Sequence, residues 1–521
     1  MTGVTLVSDA PARESTAAEE SPVHRGTIVA AVVATACGLA LFAYTRSDLW
    51  LDEALTVNIA RLPLGDLRAA LERDGAPPLY YVLLHVWTGV FGDGDVAARS
   101  LSAVFAVGAV VACWFAARRC LGVHVAWLTL IVTMANPFMI RYATEARMYS
   151  LVILLVACGI LAVPRALERP ALGRLAVVSI VTAALVYTQY WAFSLVAVVG
   201  AALLIVAWRA PSRRNPTLRV LGAIVVGLLL FVPWLPTFMS QRAHTGTPWG
   251  DPVLPGLPIG ETFLGFSGGF EQEGWVLVLV LLPILLLGLF ARAVDGRHLE
   301  IDLRVQPAAR WLGLIGGTTL VVAVTLNYLA GQAFEERYSA VVFPFFVLLL
   351  GRGLSTLVDT RVQLAVVGVV VALGLTGGLR NTIEQRTQAG EIAAVLAPEV
   401  RPGDLVVFCP DQLGPGVHRL LPDGLDGVTY PDFAPPAFVD WVDYRERLDA
   451  TDPIGFADEV LARAGDGSAW LVTGPGYPNH NGACEAISDR LASSRDRVVR
   501  VVPNEDYFEK PGLQQFAPPP S

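Results

Sequence analysis

Lysine is almost missing: Lys510 is the only one in 521 residues, so nearly every positive charge is an arginine. That skew points to a GC-rich coding sequence rather than to a function. Charge of either sign is also scarce, at 16% of residues against about 25% in ordinary soluble domains. A soluble enzyme is thereby excluded over most of the length. No basic patch interleaved with aromatics occurs, which removes a nucleic-acid face. The six cysteines include no CxxC pair and the histidines no zinc-like spacing, so a metal role for His85 or His244 has little support. P-loop, GxSxG and HExxH patterns are all absent. No cleavage-site pattern adjoins the first apolar run, which therefore reads as a retained span.

Long apolar runs are abundant, and the mean hydropathy is +0.53. The order read along the chain is a disordered cytoplasmic N-terminus (1–25), a transmembrane domain (26–380) and a soluble extracytoplasmic domain (381–521). A spanning helix takes about 20 mostly apolar residues. Candidate spans are 26–44, 96–117, 121–140, 147–164, 174–190, 192–208, 219–238, 274–292, 311–330, 338–351 and 362–380, which makes about eleven helices. The arginines test this register. With the N-terminus in the cytoplasm, Arg118, Arg119, Arg165, Arg169, Arg209, Arg213, Arg214, Arg297, Arg304, Arg352 and Arg361 all fall on the inner side. An odd count places the tail on the outer side of the membrane. Residues 77–92 open with Pro77-Pro78 and are short. Counting them as a span would invert every later loop, so they read as a helix at the outer interface, with Tyr80, Tyr81 and Trp87 as belt residues.

Three polar constellations map to the outer side. The first loop, 45–95, is too long for a mere connector. It holds Asp48, Asp66, Glu72 and Asp74, and nearest the membrane the adjacent pair Asp52-Glu53 before a helical stretch. One reading of the pair is a helix start that favours acids; the other is a general base. Arg141 through Ser150 form the second constellation. Arg141 and Glu145, four apart, share a helix face, as an interfacial ion pair or as the mouth of a substrate cavity. Glu335-Glu336-Arg337-Tyr338 form the third. Arg337 falls at the depth of a lipid phosphate, where a planar guanidinium makes bidentate contacts; the alternative is a snorkelling arginine. Ionisable groups gathered on one side of a membrane protein mark a substrate path.

These residues resemble a known group. Asp52-Glu53 after the first span, Asp74-Gly75-Ala76-Pro77-Pro78-Leu79-Tyr80-Tyr81, Phe91-Gly92, Ala98-Arg99-Ser100-Leu101, Tyr142 through Tyr149 and Arg337-Tyr338 with Pro344 are similar to bacterial GT-C membrane glycosyltransferases. The nearest branch includes protein O-mannosyltransferases and the lipid A aminoarabinose transferase. The resemblance covers roughly residues 30–380. It implies a polytopic α-helical fold and inverting transfer of a sugar from a polyprenyl-phosphate donor to a lipid, glycan or protein acceptor on the outer face. Mannose is the first choice of sugar and arabinose the second. By the same resemblance Asp52 is the base, assisted by Glu53. Arg337, Arg147 and Arg99 are candidates to hold the donor phosphate. Glu145, Tyr338, Tyr80, Tyr81 and His85 are substrate-positioning candidates. No cofactor is implied, and a divalent metal is compatible with the scheme without being required. The branch often carries Lys or His where this chain has Ala76, so that side chain's role is absent.

The tail alternates strand-like and helix-like stretches, as a small α/β domain does. Residues 405–409, 469–473 and 498–502 read as buried strands, and 455–464 and 484–494 as helices. Gly474-Pro475-Gly476 follows a strand but lacks GxGxxG spacing. Cys409 and Cys484 both lie in this tail and could form a disulfide if it is extracytoplasmic, a pairing the sequence leaves open. Two other functions compete. A flippase for lipid-linked saccharides requires charges near mid-membrane and inverted repeats, and neither is visible. A scaffold whose tail binds wall polymer leaves the acidic pair without a role.

Overall fold

The computed structural model describes residues 23–295, 298–422, 424–475, 480 and 482–518. The expected disorder of the N-terminus, Arg297, Gly476 and the final Pro-rich residues lie outside them. The chain forms two compact units. The first comprises 1–45, 99–235 and 252–382; the second comprises 46–98, 236–251 and 383–521. The long first loop thus groups with the tail.

The first unit is helical. Among the described residues eight helices are long and apolar enough to cross a membrane, or nine if one bent pair is a single span, which makes this a multi-pass membrane protein. All eleven predicted segments are helical, but two fall short of a span: Leu172–Thr188 has 17 residues and Phe343–Ser355 has 13. The segment predicted as 121–140 breaks into Val123–Met134 and Pro137–Ala143, bent by 61°. The break is local chemistry. The Asn136 side chain caps the second helix by accepting from the Phe138 and Met139 amides, and Pro137 supplies no donor. Helix Phe343–Ser355 reaches its neighbours through glycine. A Cβ at Gly353 would lie 1.9 Å from the Ile284 carbonyl oxygen, and one at Gly351 2.2 Å from the Thr129 hydroxyl. Small residues allow such close backbone approach in a bilayer. A short antiparallel hairpin, β1 (Ala291–Ala293) and β2 (Leu299–Ile301), also belongs to this unit.

The second unit is built on a five-stranded sheet. Its strands are β3 (Leu405–Cys409), β4 (Gly427–Thr429), β5 (Ala469–Thr473), β6 (Asp496–Val501) and β7 (Gly512–Ala517), in the order β4-β3-β5-β7-β6. The first three in sequence are parallel, while β7 runs antiparallel to β5 and β6. β3 and β5 are buried as expected. β6 is not: Val498 and Val499 are exposed. It is an edge strand, paired among the described residues with β7 alone and interrupted by a register shift between Val499 and Val501. The predicted helices appear as Pro453–Ala464 and Ala483–Ala492. Trp470, Phe408, Leu513 and Ile392 centre the core. A disulfide joins Cys409 and Cys484. Beyond the ends of the parallel strands lies a buried polar network. The Tyr444 hydroxyl donates to Asp411 at 2.6 Å, accepts from Gln412 at 3.0 Å and lies 3.2 Å from His480. Burial pushes the Asp411 carboxyl up to about 7.

Candidate active site

In the second unit, Asp52 and Glu53 occupy the first turn of helix Leu51–Ala60, where acids complement the macrodipole. Neither is the cap. The N-cap is Trp50, whose side chain makes no capping bond. The two carboxylates differ in setting: Asp52 is half-buried, whereas Glu53 is fully buried. A buried carboxylate needs compensation, and Arg386 provides part of it at 3.7 Å. Arg386 is itself fixed, since its amide donates to the Ser47 hydroxyl at 2.8 Å.

A third carboxylate joins the pair. Glu509 is buried, and its Oε1 accepts the Leu51 amide at 2.8 Å. Burial is the main cause that raises its pKa to about 8, and the nearby charges of Asp52 and Glu53 push the same way. Sequence reading missed Arg386 and Glu509. Each is an ordinary polar residue in a tail that otherwise looks soluble, and the only signal would have been long-range pairing with the first loop.

Further contacts fix the acidic helix. The Asn58 amide donates to the Ala437 carbonyl at 2.8 Å, and the His85 ring lies 2.7 Å from the Ala60 carbonyl. Helix Leu79–Phe91 exists as expected, but Tyr80 and Tyr81 are not belt residues. Both are buried, and the Tyr81 hydroxyl donates to Asp74 at 2.7 Å. The exposed face is instead Val82, Val86 and Val90, spaced four apart. Proline at 77 and 78 starts this helix, and Gly75, at φ +84°, ends the one before it. A Cβ on Gly75 would stand 2.9 Å from the Thr245 hydroxyl.

In the first unit the structure brings Arg141, Tyr142, Glu145, Glu336 and Arg337 together. Arg141 lies 3.7 Å from the buried Glu145, and Glu336 and Arg337 are among its charged neighbours. The expected shared helix face is corrected. The helix ends at Ala143, where the Thr144 hydroxyl bonds back to the Ile140 and Arg141 carbonyls. Glu145 returns to Arg141 from a loop, in a tight turn closed by the Arg147 amide on the Glu145 carbonyl at 2.7 Å. Arg337 is the second residue of a short 3₁₀ turn, Glu336–Val341, and lies 3.8 Å from Glu335. Tyr338 is half-buried beside Trp191, with ring centroids 5.8 Å apart. Arg147 accepts the Ser102 hydroxyl on its carbonyl at 3.0 Å, and Arg99 is buried. A small cleft between Arg141, Tyr142, Glu336 and Asn381 adjoins the cluster. The same unit holds a half-open, mainly apolar cavity of about 1320 Å³, lined by Leu185, Leu195, Leu203, Ile224, Val322 and Phe345 among others, with Arg119, Glu168 and Arg213 also on its wall. Among the described residues no group of three or more His, Cys, Asp or Glu side chains is placed to hold a metal ion.

Residues 75–236 match the family model for dolichyl-phosphate-mannose-protein mannosyltransferase. A crystal structure of ArnT from Cupriavidus metallidurans in the apo state superposes with a TM-score of 0.61 at 15% identity, covering 95% of this chain and 99% of that one. The chain has the GT-C fold. ArnT bound to undecaprenyl phosphate superposes almost equally, with a TM-score of 0.60, 15% identity and the same coverage. An oligosaccharyltransferase from Archaeoglobus fulgidus reaches 0.47 at 10% identity, covering 86% of this chain and 69% of that one. No curated protein sequence matches significantly. Within this GT-C fold, the matched segment carries Tyr80, Tyr81, His85, Arg99, Glu145 and Arg147. Asp52, Glu53, Arg337 and Tyr338 lie outside it.

Proposed function

We propose that the protein is an inverting glycosyltransferase that moves a sugar, mannose in the first instance, from a polyprenyl-phosphate donor to a cell-envelope acceptor. The carrying observation is the unequal pair on one helix turn. Glu53 is fully buried against Arg386, while Asp52 beside it is only partly buried, with its Oδ2 turned inward. That division suits a base and its support. Asp52 takes the proton of the acceptor hydroxyl, and the freed oxygen attacks the sugar's anomeric carbon as the bond to the donor phosphate breaks. A base so placed contributes about 10²–10⁴-fold.

The leaving phosphate needs positive charge. Arg337 is the first candidate, with Arg147 and Arg99 behind it, and Glu145 holds the arginine cluster in shape through Arg141. A fixed guanidinium stabilises charge as it develops, and in this scheme it does so without a metal ion. The apolar cavity suits an isoprenoid chain. The two-cysteine bridge in the tail favours an oxidising compartment, hence an outside tail and outer-face transfer.

The test uses synthetic polyprenyl-phosphate mannose, with the arabinose-bearing donor as a second arm, and native envelope membranes as acceptor. Asp52→Asn is expected to lower the rate of polyprenyl-phosphate release by at least about 10²-fold. Full activity of that variant would remove Asp52 as the base.

A further inference from the structure

Helix Leu51–Ala60 begins without a cap of its own. The first amides of any helix lack partners inside it, and Trp50 offers no side-chain acceptor here. The Leu51 amide is satisfied instead by Glu509, 458 residues further along the chain. The segment bearing Glu509 is held by the adjacent strip 386–388: its amide donates to the Arg386 carbonyl at 2.8 Å, and its carbonyl accepts the Gln388 amide at 3.0 Å. The neighbouring Phe508 ring meets Trp50 edge-on at 5.6 Å. Arg386, in the strip beside Glu509, also faces Glu53. Two adjoining tail strips, bonded to each other, therefore hold the start of the helix and the inner carboxylate of the pair.

We propose that Glu509 is a positioning residue for the proposed transfer: it holds the amino end of helix Leu51–Ala60 in register and, through its charge, sets the basicity of Asp52. The inference rests on the reading of Asp52 as base. The groups that face Glu509 are Asp52 and Glu53 from the helix and the Thr387 hydroxyl from the adjacent strip. Arg386 is engaged with Glu53, and on Glu509's own segment Lys510 pairs with Glu505. When Glu509 is protonated, its Oε1 still accepts the Leu51 amide and adds no charge. When it ionises, a further negative charge stands close to Asp52 and makes that carboxylate a stronger base. Its ionisation near pH 8 falls where this change would be visible in the rate.

Two variants separate gripping from charge. Glu509→Gln keeps an acceptor for the Leu51 amide but cannot ionise. Its maximal rate below pH 7 is expected to stay within about threefold of the parent, while the step in rate near pH 8 disappears. Glu509→Ala removes the acceptor as well, and the helix start shifts; its maximal rate is expected to fall on the order of 10²-fold with KM for the donor little changed. The readout is polyprenyl-phosphate release from polyprenyl-phosphate mannose by the full-length protein, with thermal unfolding recorded for each variant. A parent-like pH profile in Glu509→Gln together with a parent-like rate in Glu509→Ala overturns the inference. If that happens while Asp52→Asn is inactive, only the role of Glu509 fails. If Asp52→Asn is active, the base assignment fails first.

Discussion

Glu53 shows how little a side chain's sequence neighbours say about its setting. It adjoins Asp52 in the chain, yet it is fully buried while Asp52 is half open. Helical geometry separates consecutive residues by about 100° and turned one of the two inward. The acidic pair was legible in the sequence, and so was its place at a helix start; the partner Arg386 was not. A carboxylate with no exposure depends on that partner. Arg386→Met is expected to destabilise the protein by up to about 3–5 kcal/mol, the range for breaking one side of a buried pair. Pairing it with Glu53→Gln should recover most of the loss, because no charge is then left unmatched. Thermal unfolding of the purified protein in detergent measures both.

At the scale of elements, periodicity and composition located the helices well, since a run of apolar residues carries its own signal. They did less well on how helices end. Asn136-Pro137 breaks one span, and Thr144 stops a helix that i,i+4 spacing had extended through Glu145. Strands β4 and β7 passed unnoticed. Gly427–Thr429 has only three residues, and Gly512–Ala517 contains two glutamines and no clean alternation. Sheet pairing selects such strands, and a single stretch of sequence holds little record of it. The bond that joins the last residue of β3 to helix Ala483–Ala492 invites an element-scale test. It spans 75 residues between Cys409 and Cys484. Replacing both by alanine is expected to cost roughly 2–4 kcal/mol, mainly by freeing the unfolded chain. Thermal unfolding with and without reductant checks this, and reductant should leave the double variant unmoved.

For the whole molecule, the arginine distribution carried the topology argument, and it yields a direct test. Reporter fusions at the N-terminus and after residue 518 are expected to be active on opposite faces: a cytoplasm-only reporter at the first, an export-only reporter at the second. Activity of one reporter type at both ends would defeat the proposed orientation. The grouping of 46–98 and 236–251 with 383–521 had no comparable signal. Contacts such as Gln241 to the Leu71 and Ala76 carbonyls link stretches far apart in sequence, and such pairings are written into no local pattern.

The bond from Glu509 to Leu51 also has a consequence in time. The ribosome makes Leu51 early and Glu509 458 residues later. At about 5–20 residues per second, the interval is on the order of half a minute to a minute and a half. Throughout it the acidic helix waits with its first amide uncapped by its eventual partner, while the helices of the first unit are being synthesised. A nascent chain therefore carries the proposed base long before it carries the group proposed to steady it.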